Sequence, residues 1–256
     1  MLPTALLTAG LIVAAATAGD RDRDQERENS DSARPLALAV FGGWPYSQVL
    51  LDNAPLLIDS INSDPKVSRV LHVGDIHSGS MPCTSAGILP PISTANPGWN
   101  QGVYALFQWL EDPVVYTPGD NEWSDCHKSR QRQSSDPLRE LASVRSLFFA
   151  RPGRTLGLND TEVSTQAQRF DPAYPADAQF VENVMWQESK VLFVTVNLPG
   201  SNNNTAPWTG IFANPTAQSQ ESSTRTVADI RWLEAAFREA NEDRARAIVI
   251  GIQANM

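Results

Sequence analysis

Short apolar runs alternate along the chain with stretches that are apolar on one helical face only. Residues 36–41, Leu36-Ala37-Leu38-Ala39-Val40-Phe41, are continuously apolar, as a strand covered on both faces must be, and Gly42-Gly43 ends the run. The spacing of Val49, Leu50, Ala54, Leu57 and Ile58 then predicts a helix with one apolar face. Residues 67–73 read as a second strand ending in Gly74-Asp75. An amphipathic segment over 102–110 leads to a short strand, Val114-Val115-Tyr116, which ends in Pro118-Gly119-Asp120. Asp136-Pro137 predicts a helix start, because the carboxylate caps free amides and proline needs no donor there. Residues 181–186 and 191–196 read as neighbouring strands. Thr226-Val227-Ala228-Asp229 has capping-box spacing and predicts a helix start, running on through Trp232, Leu233, Ala236 and Phe237. Residues 247–252 form the last strand-like run. This alternation predicts one layered α/β domain over residues 36–256, with no internal repeat.

The ends of the chain follow a different pattern. Residues 1–18 are apolar but too short and alanine-rich for a membrane span, and they close with the small-x-small triplet Ala16-Thr17-Ala18. They read as a signal peptide, or as an N-terminal anchor, since no Lys or Arg precedes the apolar stretch. Asp20-Arg21-Asp22-Arg23-Asp24 opens a charged flexible linker over 19–35. The expected product is secreted or periplasmic, with no stable membrane span after cleavage. Cys83 and Cys126 are candidates for one disulfide in such a compartment, with two free thiols as the alternative. The chain stops at Asn255-Met256, directly after a strand-like run, so a C-terminal part of the domain is expected to be missing. A formal net charge of -9 leaves no broad basic face, which excludes nucleic acid as the main partner. Nothing in the pattern sets an oligomeric state.

Polar clusters follow three of the strands. Phe41-Gly42-Gly43-Trp44-Pro45-Tyr46 holds no carboxylate, whereas Gly74-Asp75-Ile76-His77 and Gly119-Asp120-Asn121-Glu122-Trp123 are rich in polar donors and acceptors. Carboxylates, amides and imidazoles gathered at strand ends suit a divalent metal, which offsets phosphate charge and acidifies bound water. Gly-Asp pairs are also ordinary turn sequences. His72, inside an apolar run, reads as a core residue. Cys126-His127 reads as a thiol–imidazole pair or as half of the disulfide. The segment from Asn197 to Asn204 follows a strand; Asn197 and Asn203 are candidate donors to a phosphate or sugar, unless the stretch is simply an asparagine-rich turn. Trp44 and Trp123 flank the clusters and are candidates for stacking on a substrate ring.

In this order, the clusters resemble the calcineurin-like metallophosphoesterases, which carry Asp-x-His, Gly-Asp-x-x-Asp, Gly-Asn-His-Asp/Glu, a lone His and Gly-His-x-His at successive strand ends. The late segment from Trp232 to Gln253 resembles the helix and strand that lead to the lone histidine. The resemblance spans residues 36–256 and implies a two-sheet βαβ sandwich flanked by helices. It implies Asp75 as a metal-bridging carboxylate, Asp120 in place of the asparagine ligand, Glu122 as a further ligand and Gln253 in place of the lone histidine. His77 would polarise substrate or water. Asn121 stands where a histidine protonates the leaving group, which an amide cannot do near neutral pH. Gly43 stands at the first aspartate and offers no side chain, and Gly-His-x-His is absent. Such a donor set implies one divalent cation (manganese, iron, zinc, magnesium or calcium) rather than a tight two-metal centre. The implied function is an exported hydrolase acting on a small-molecule phosphate ester. The alternative is a catalytically inactive binding protein of the same fold, or a truncated copy.

Overall fold

β1 (Ala37–Phe41), β2 (Val67–His72) and β3 (Val114–Tyr116) form a parallel sheet in the order β1-β2-β3 in this computed structural model, which describes residues 36–83, 98–128 and 135–254. The expected leader and linker lie outside the described residues. Phe41 pairs with His72 and His72 with Tyr116, so all three strands stop at one level. The polar clusters that follow them therefore emerge side by side, as at the carboxyl edge of any parallel sheet.

The second sheet runs β4 (Ser164–Thr165), β5 (Val184–Glu188), β6 (Val191–Thr195) and β7 (Ala247–Gly251), in that order. Its first two pairings are antiparallel and the β6–β7 pairing is parallel, with Thr195 opposite Gly251. Thr117 Oγ1 donates to Val196 O at 3.2 Å, which joins the end of β3 to the end of β6. The carboxyl edges of both sheets thus meet at one place.

Alternation along each strand explains the continuous apolar runs. Ala39, Val70, Val114 and Tyr116 turn toward helices α1 (Gln48–Asp52), α2 (Ala54–Asn62), α3 (Trp99–Phe107) and α4 (Pro137–Phe148). The residues between them, Leu38, Val40, Leu71 and Val115, pack against Val184, Trp186 and Phe193 of the second sheet. On the far face of that sheet, Met185, Leu192 and Val194 meet Trp232, Ala236 and Ala240 of a long helix, α6 (Pro215–Glu242). A short helix, α5 (Gln166–Arg169), separates β4 from β5. With neighbours on both faces, successive residues of a strand are buried, each side chain contributing about 1.5–3 kcal/mol.

The Asp136 cap forms as expected, its side chain accepting the Arg139 N–H at 2.9 Å. The capping box at Thr226 does not. α6 begins at Pro215, where Asn214 caps the Ala217 N–H at 3.1 Å, and Thr226 lies mid-helix with its hydroxyl bonded back to Ser222 O. The first turns of α6 bury Gln218, Ser222 and Arg225 through hydrogen bonds, so they show no apolar face to read. Among the described residues, no helix is long and apolar enough to cross a membrane.

Candidate functional site

An open cleft of about 880 Å³ lies where the two carboxyl edges meet, with Tyr46, Asp75, Asp120, Asn121, Asn203 and Gln253 among its lining residues. Its floor comes from the two Gly-Asp turns. Gly74 has φ +82, and a Cβ there would stand 2.5 Å from the Gly119 backbone nitrogen. A Cβ on Gly119 would overlap the Asp75 carboxylate. Only glycine at both positions lets the turns press backbone to backbone and set Asp75 beside Asp120. Asp75 itself sits at φ 59, a left-handed conformation that a non-glycine residue holds only under constraint from its surroundings.

Gln253, just beyond β7, closes the floor. Its Nε2 donates to Asp75 Oδ2 at 3.1 Å and to Asp120 Oδ1 at 3.2 Å, while its Oε1 accepts the Gly200 N–H. The Gly200 donor dictates which end of the amide is oxygen, so the nitrogen must face the carboxylates. Burial, then the charges of Glu122 and Asp120, hold the Asp75 carboxyl far above the usual carboxylate range. Asp120 is raised too, by burial and then by Asp125. Two carboxylates converging on one neutral amide form an oxygen-rich site short of positive charge. Carboxylate oxygens are the donors that hard divalent cations take. Among the described residues, however, no group of three or more Asp, Glu, His or Cys side chains is placed to hold a metal, so Asp75 and Asp120 have no third such ligand beside them.

Several residues expected at the site lie elsewhere. Glu122 is fully buried beneath the floor, where Oε1 accepts the Ile76 N–H at 3.1 Å and the Tyr116 hydroxyl at 2.9 Å. It faces the core and is not a cleft ligand; burial pushes its pKa up to about 7. His77 is also fully buried, with Nδ1 3.1 Å from Ser78 O, and burial lowers its pKa to about 4. A neutral imidazole inside the fold does not polarise substrate. Trp123 is enclosed beneath the Arg225 guanidinium, 5.5 Å from its ring, and Trp44 packs edge-on to Phe41 at 5.5 Å, so neither stacks in the cleft. Asn197 is buried and structural, its Nδ2 donating to Glu182 at 3.0 Å and its N–H to Asn183 at 2.8 Å. Asn203 does line the cleft.

His72 is a satisfied core residue, as expected. Nε2 donates to Trp44 O at 2.7 Å and Nδ1 accepts the Gly74 N–H at 3.2 Å, which ties the first strand end to the Gly74 turn. Cys83 and Cys126 form a disulfide with Cα atoms 5.8 Å apart. It joins the loop after β2 to the segment Ser124–His127, which carries Asp125.

One wall of the cleft is a single left-handed turn, Gly200–Asn204. Ser201, Asn202, Asn203 and Asn204 all have positive φ, from 51 to 60. Each such L-residue costs roughly 1–2 kcal/mol, with asparagine among the most tolerant. The turn persists because both its sides are bonded. Arg225 donates to Asn203 Oδ1 and, at 3.2 Å, to Asn203 O, while Asn204 is held by Glu221 at 2.6 Å and Trp208 at 2.8 Å. On the cleft side, the Ser201 hydroxyl bonds Asp125 and lies 3.2 Å from Asp120 Oδ2, and Lys128 Nζ reaches both Asp125 and Ser201. The run of asparagines after Pro199-Gly200 was a sequence signal for such a turn; Arg225 and Lys128 carried none.

No family model matches the chain, and neither a curated protein nor a solved structure matches it.

Proposed function

We propose that the cleft is the active site of an exported, cation-dependent hydrolase of small-molecule phosphate esters, built on a calcineurin-like phosphoesterase fold. One observation carries this reading: Asp75 and Asp120 converge on the Gln253 amide at the floor of an open cleft, with no cationic side chain among the lining residues. Unpaired carboxylates at a cleft floor are costly to maintain and mark functional sites. Asp75 and Asp120 would hold one divalent cation, with Gln253 beside them. When bound, such a cation offsets phosphate charge and acidifies a water ligand. The chain's own contribution is positioning. The Tyr46 hydroxyl among the lining residues offers a donor to a bound ester, whereas the Asn203 amide is engaged behind the turn by Arg225 and Thr226, and an open mouth admits a small molecule. Export is supported by the disulfide.

A second reading, a catalytically silent binding cleft, is favoured by the withdrawal of His77 and Glu122 into the core, which leaves the described lining without an imidazole. Titration calorimetry with manganese on the full chain, beside Asp75→Ala and Asp120→Ala, separates the two. The hydrolase reading expects one ion per chain, affinity at least about 100-fold weaker in both variants, and cation-dependent turnover of phosphate esters. A parent chain that binds no cation leaves the silent reading standing.

A further inference from the structure

We infer that Tyr46 is the proton donor to the leaving group and that Asn121 is the residue that positions it; this rests on the hydrolase reading of the same cleft. Asn121 Nδ2 donates to His77 O at 3.0 Å and contacts Tyr46 Oη at 3.1 Å. A carbonyl can only accept, so the end of the amide facing His77 O must be the NH₂ group. The other end is confined as well, since a Cβ on Gly79 would stand 2.7 Å from Asn121 Oδ1. With its orientation set, Asn121 has one hydrogen for His77 O and one for the Tyr46 oxygen. Tyr46 therefore accepts in this contact, and its own hydrogen is left over. Among the described residues nothing accepts that hydrogen, and the half-buried Tyr46 lines the same cleft as Asp75 and Asp120. An amide cannot supply a proton, but this amide holds a phenol that can.

The step balances without a further reactant. The oxygen of a water forms a bond to phosphorus while the bond from phosphorus to the ester oxygen breaks, its electron pair going to the leaving oxygen. That oxygen takes the phenolic hydrogen of Tyr46 and departs as a neutral alcohol. The proton given up by the attacking water passes to solvent through the open cleft, and the Tyr46 phenolate regains one from solvent. A phenol is much more acidic than an aliphatic alcohol, so the transfer helps most when the leaving group is an alkoxide. A nitrophenolate leaves without needing a proton. The geometry thus points to phosphate esters of aliphatic alcohols as the substrate class.

The test is Tyr46→Phe in the full chain with manganese, comparing kcat/KM for alkyl phosphate esters with that for nitrophenyl phosphate esters. Loss of a proton donor typically costs about 10²–10⁴-fold. The expected result is a loss on alkyl esters about 100-fold or more greater than the loss on nitrophenyl esters, hence a steeper dependence on leaving-group basicity. Asn121→Ala is expected to give the same selectivity with a smaller loss. Manganese affinity by calorimetry and the urea midpoint of Tyr46→Phe are expected to equal the parent's. An equal loss on both ester classes, or a fall in manganese affinity, overturns the role of Tyr46 and leaves the hydrolase reading intact. A parent chain that binds manganese yet turns over neither ester class overturns both.

Discussion

Two concentrations of charge lie on either side of the left-handed turn, and they are built on opposite plans. Behind the turn every carboxylate meets a guanidinium. Arg145 grips Glu182 with bonds of 2.9 and 2.5 Å, Arg231 grips Asp177 at 2.7 and 2.6 Å, and Arg225 reaches Glu221 at 2.7 Å and Asp229 at 3.7 Å. In the cleft, Asp75 and Asp120 meet neutral donors, the Gln253 amide for both, the Asn121 N–H for Asp75 and the Ser201 hydroxyl for Asp120. Burial disfavours charge in both places. Behind the turn guanidiniums oppose it, incompletely at Asp229, which stays raised to about 7 beside Arg225, while in the cleft Lys128 bonds Asp125 instead of Asp75 or Asp120. Matched charge of that kind is architecture: it specifies one geometry for the turn. Unmatched charge beside solvent is where the proposed cation would bind.

The largest test of the contrast is Arg225→Met. Arg225 is fully buried and also donates to Asn197 O at 2.8 Å, so the variant removes a partner from two carboxylates, two backbone carbonyls and the Asn203 side-chain oxygen at once. Removing one partner of a buried pair costs about 3–5 kcal/mol, which urea denaturation would report. A loss below about 1 kcal/mol, the range of surface pairs, would show that the network is not architecture.

How far the sequence showed these regions depends on what makes each one. Strands buried on both faces leave continuous apolar runs, so residues 36–41 and 67–73 were legible. The glycines of Gly74-Asp75 and Gly119-Asp120 were legible because only glycine tolerates so close an approach of two turns. Side-chain direction within those turns was not. Asp120, Asn121, Glu122 and Trp123 are consecutive, yet the first two face the cleft and the last two enter the core. Irregular backbone has no period from which direction can be read. The network behind the turn was invisible for another reason: its partners, such as Arg145 and Glu182, are 37 residues apart and join only in the fold. Tyr46 followed the one strand end without a carboxylate and so drew no chemistry.

Glu122 sharpens the contrast because it lies beneath the cleft floor and, like Asp75, has only neutral partners. Its pKa is raised from 4.5 to about 7, chiefly by burial. A group raised in the folded state gives stability that is full below its unfolded pKa and is lost as pH rises through its folded pKa. Between about pH 4.5 and 7 the parent therefore loses on the order of 3 kcal/mol through Glu122. His72 and His77, each lowered to about 4 by burial, act in the opposite sense, costing stability as pH falls below 6.5. The difference between parent and Glu122→Gln cancels them. The variant, whose amide oxygen still accepts from Ile76 and Tyr116, is expected to be more stable by about 3 kcal/mol at pH 8 and to match the parent near pH 4. Parallel stability profiles for the two chains would refute the burial of an unmatched charge there.

The last test is Asp75→Asn, and its sign is what separates the two regions. Behind the turn, deleting one charge of a pair destabilises. On the cleft floor, deleting one of two like charges removes a repulsion. Asparagine also tolerates the left-handed backbone of position 75 at least as well as aspartate does. In the presence of EDTA at pH 8 the variant is expected to melt higher than the parent, because burial and then the charges of Glu122 and Asp120 disfavour the ionised Asp75 in the fold. Excess manganese should reverse the order. A ligand at 100 times its Kd stabilises by about 2.7 kcal/mol, and only the parent keeps both carboxylates to bind it. Thermal melts of both chains, with EDTA and with manganese, therefore cross if the floor is a cation site. If the parent melts higher in both conditions, the Asp75 carboxylate stabilises the fold as the network carboxylates do, and the distinction between matched and unmatched charge fails at the residue on which it rests.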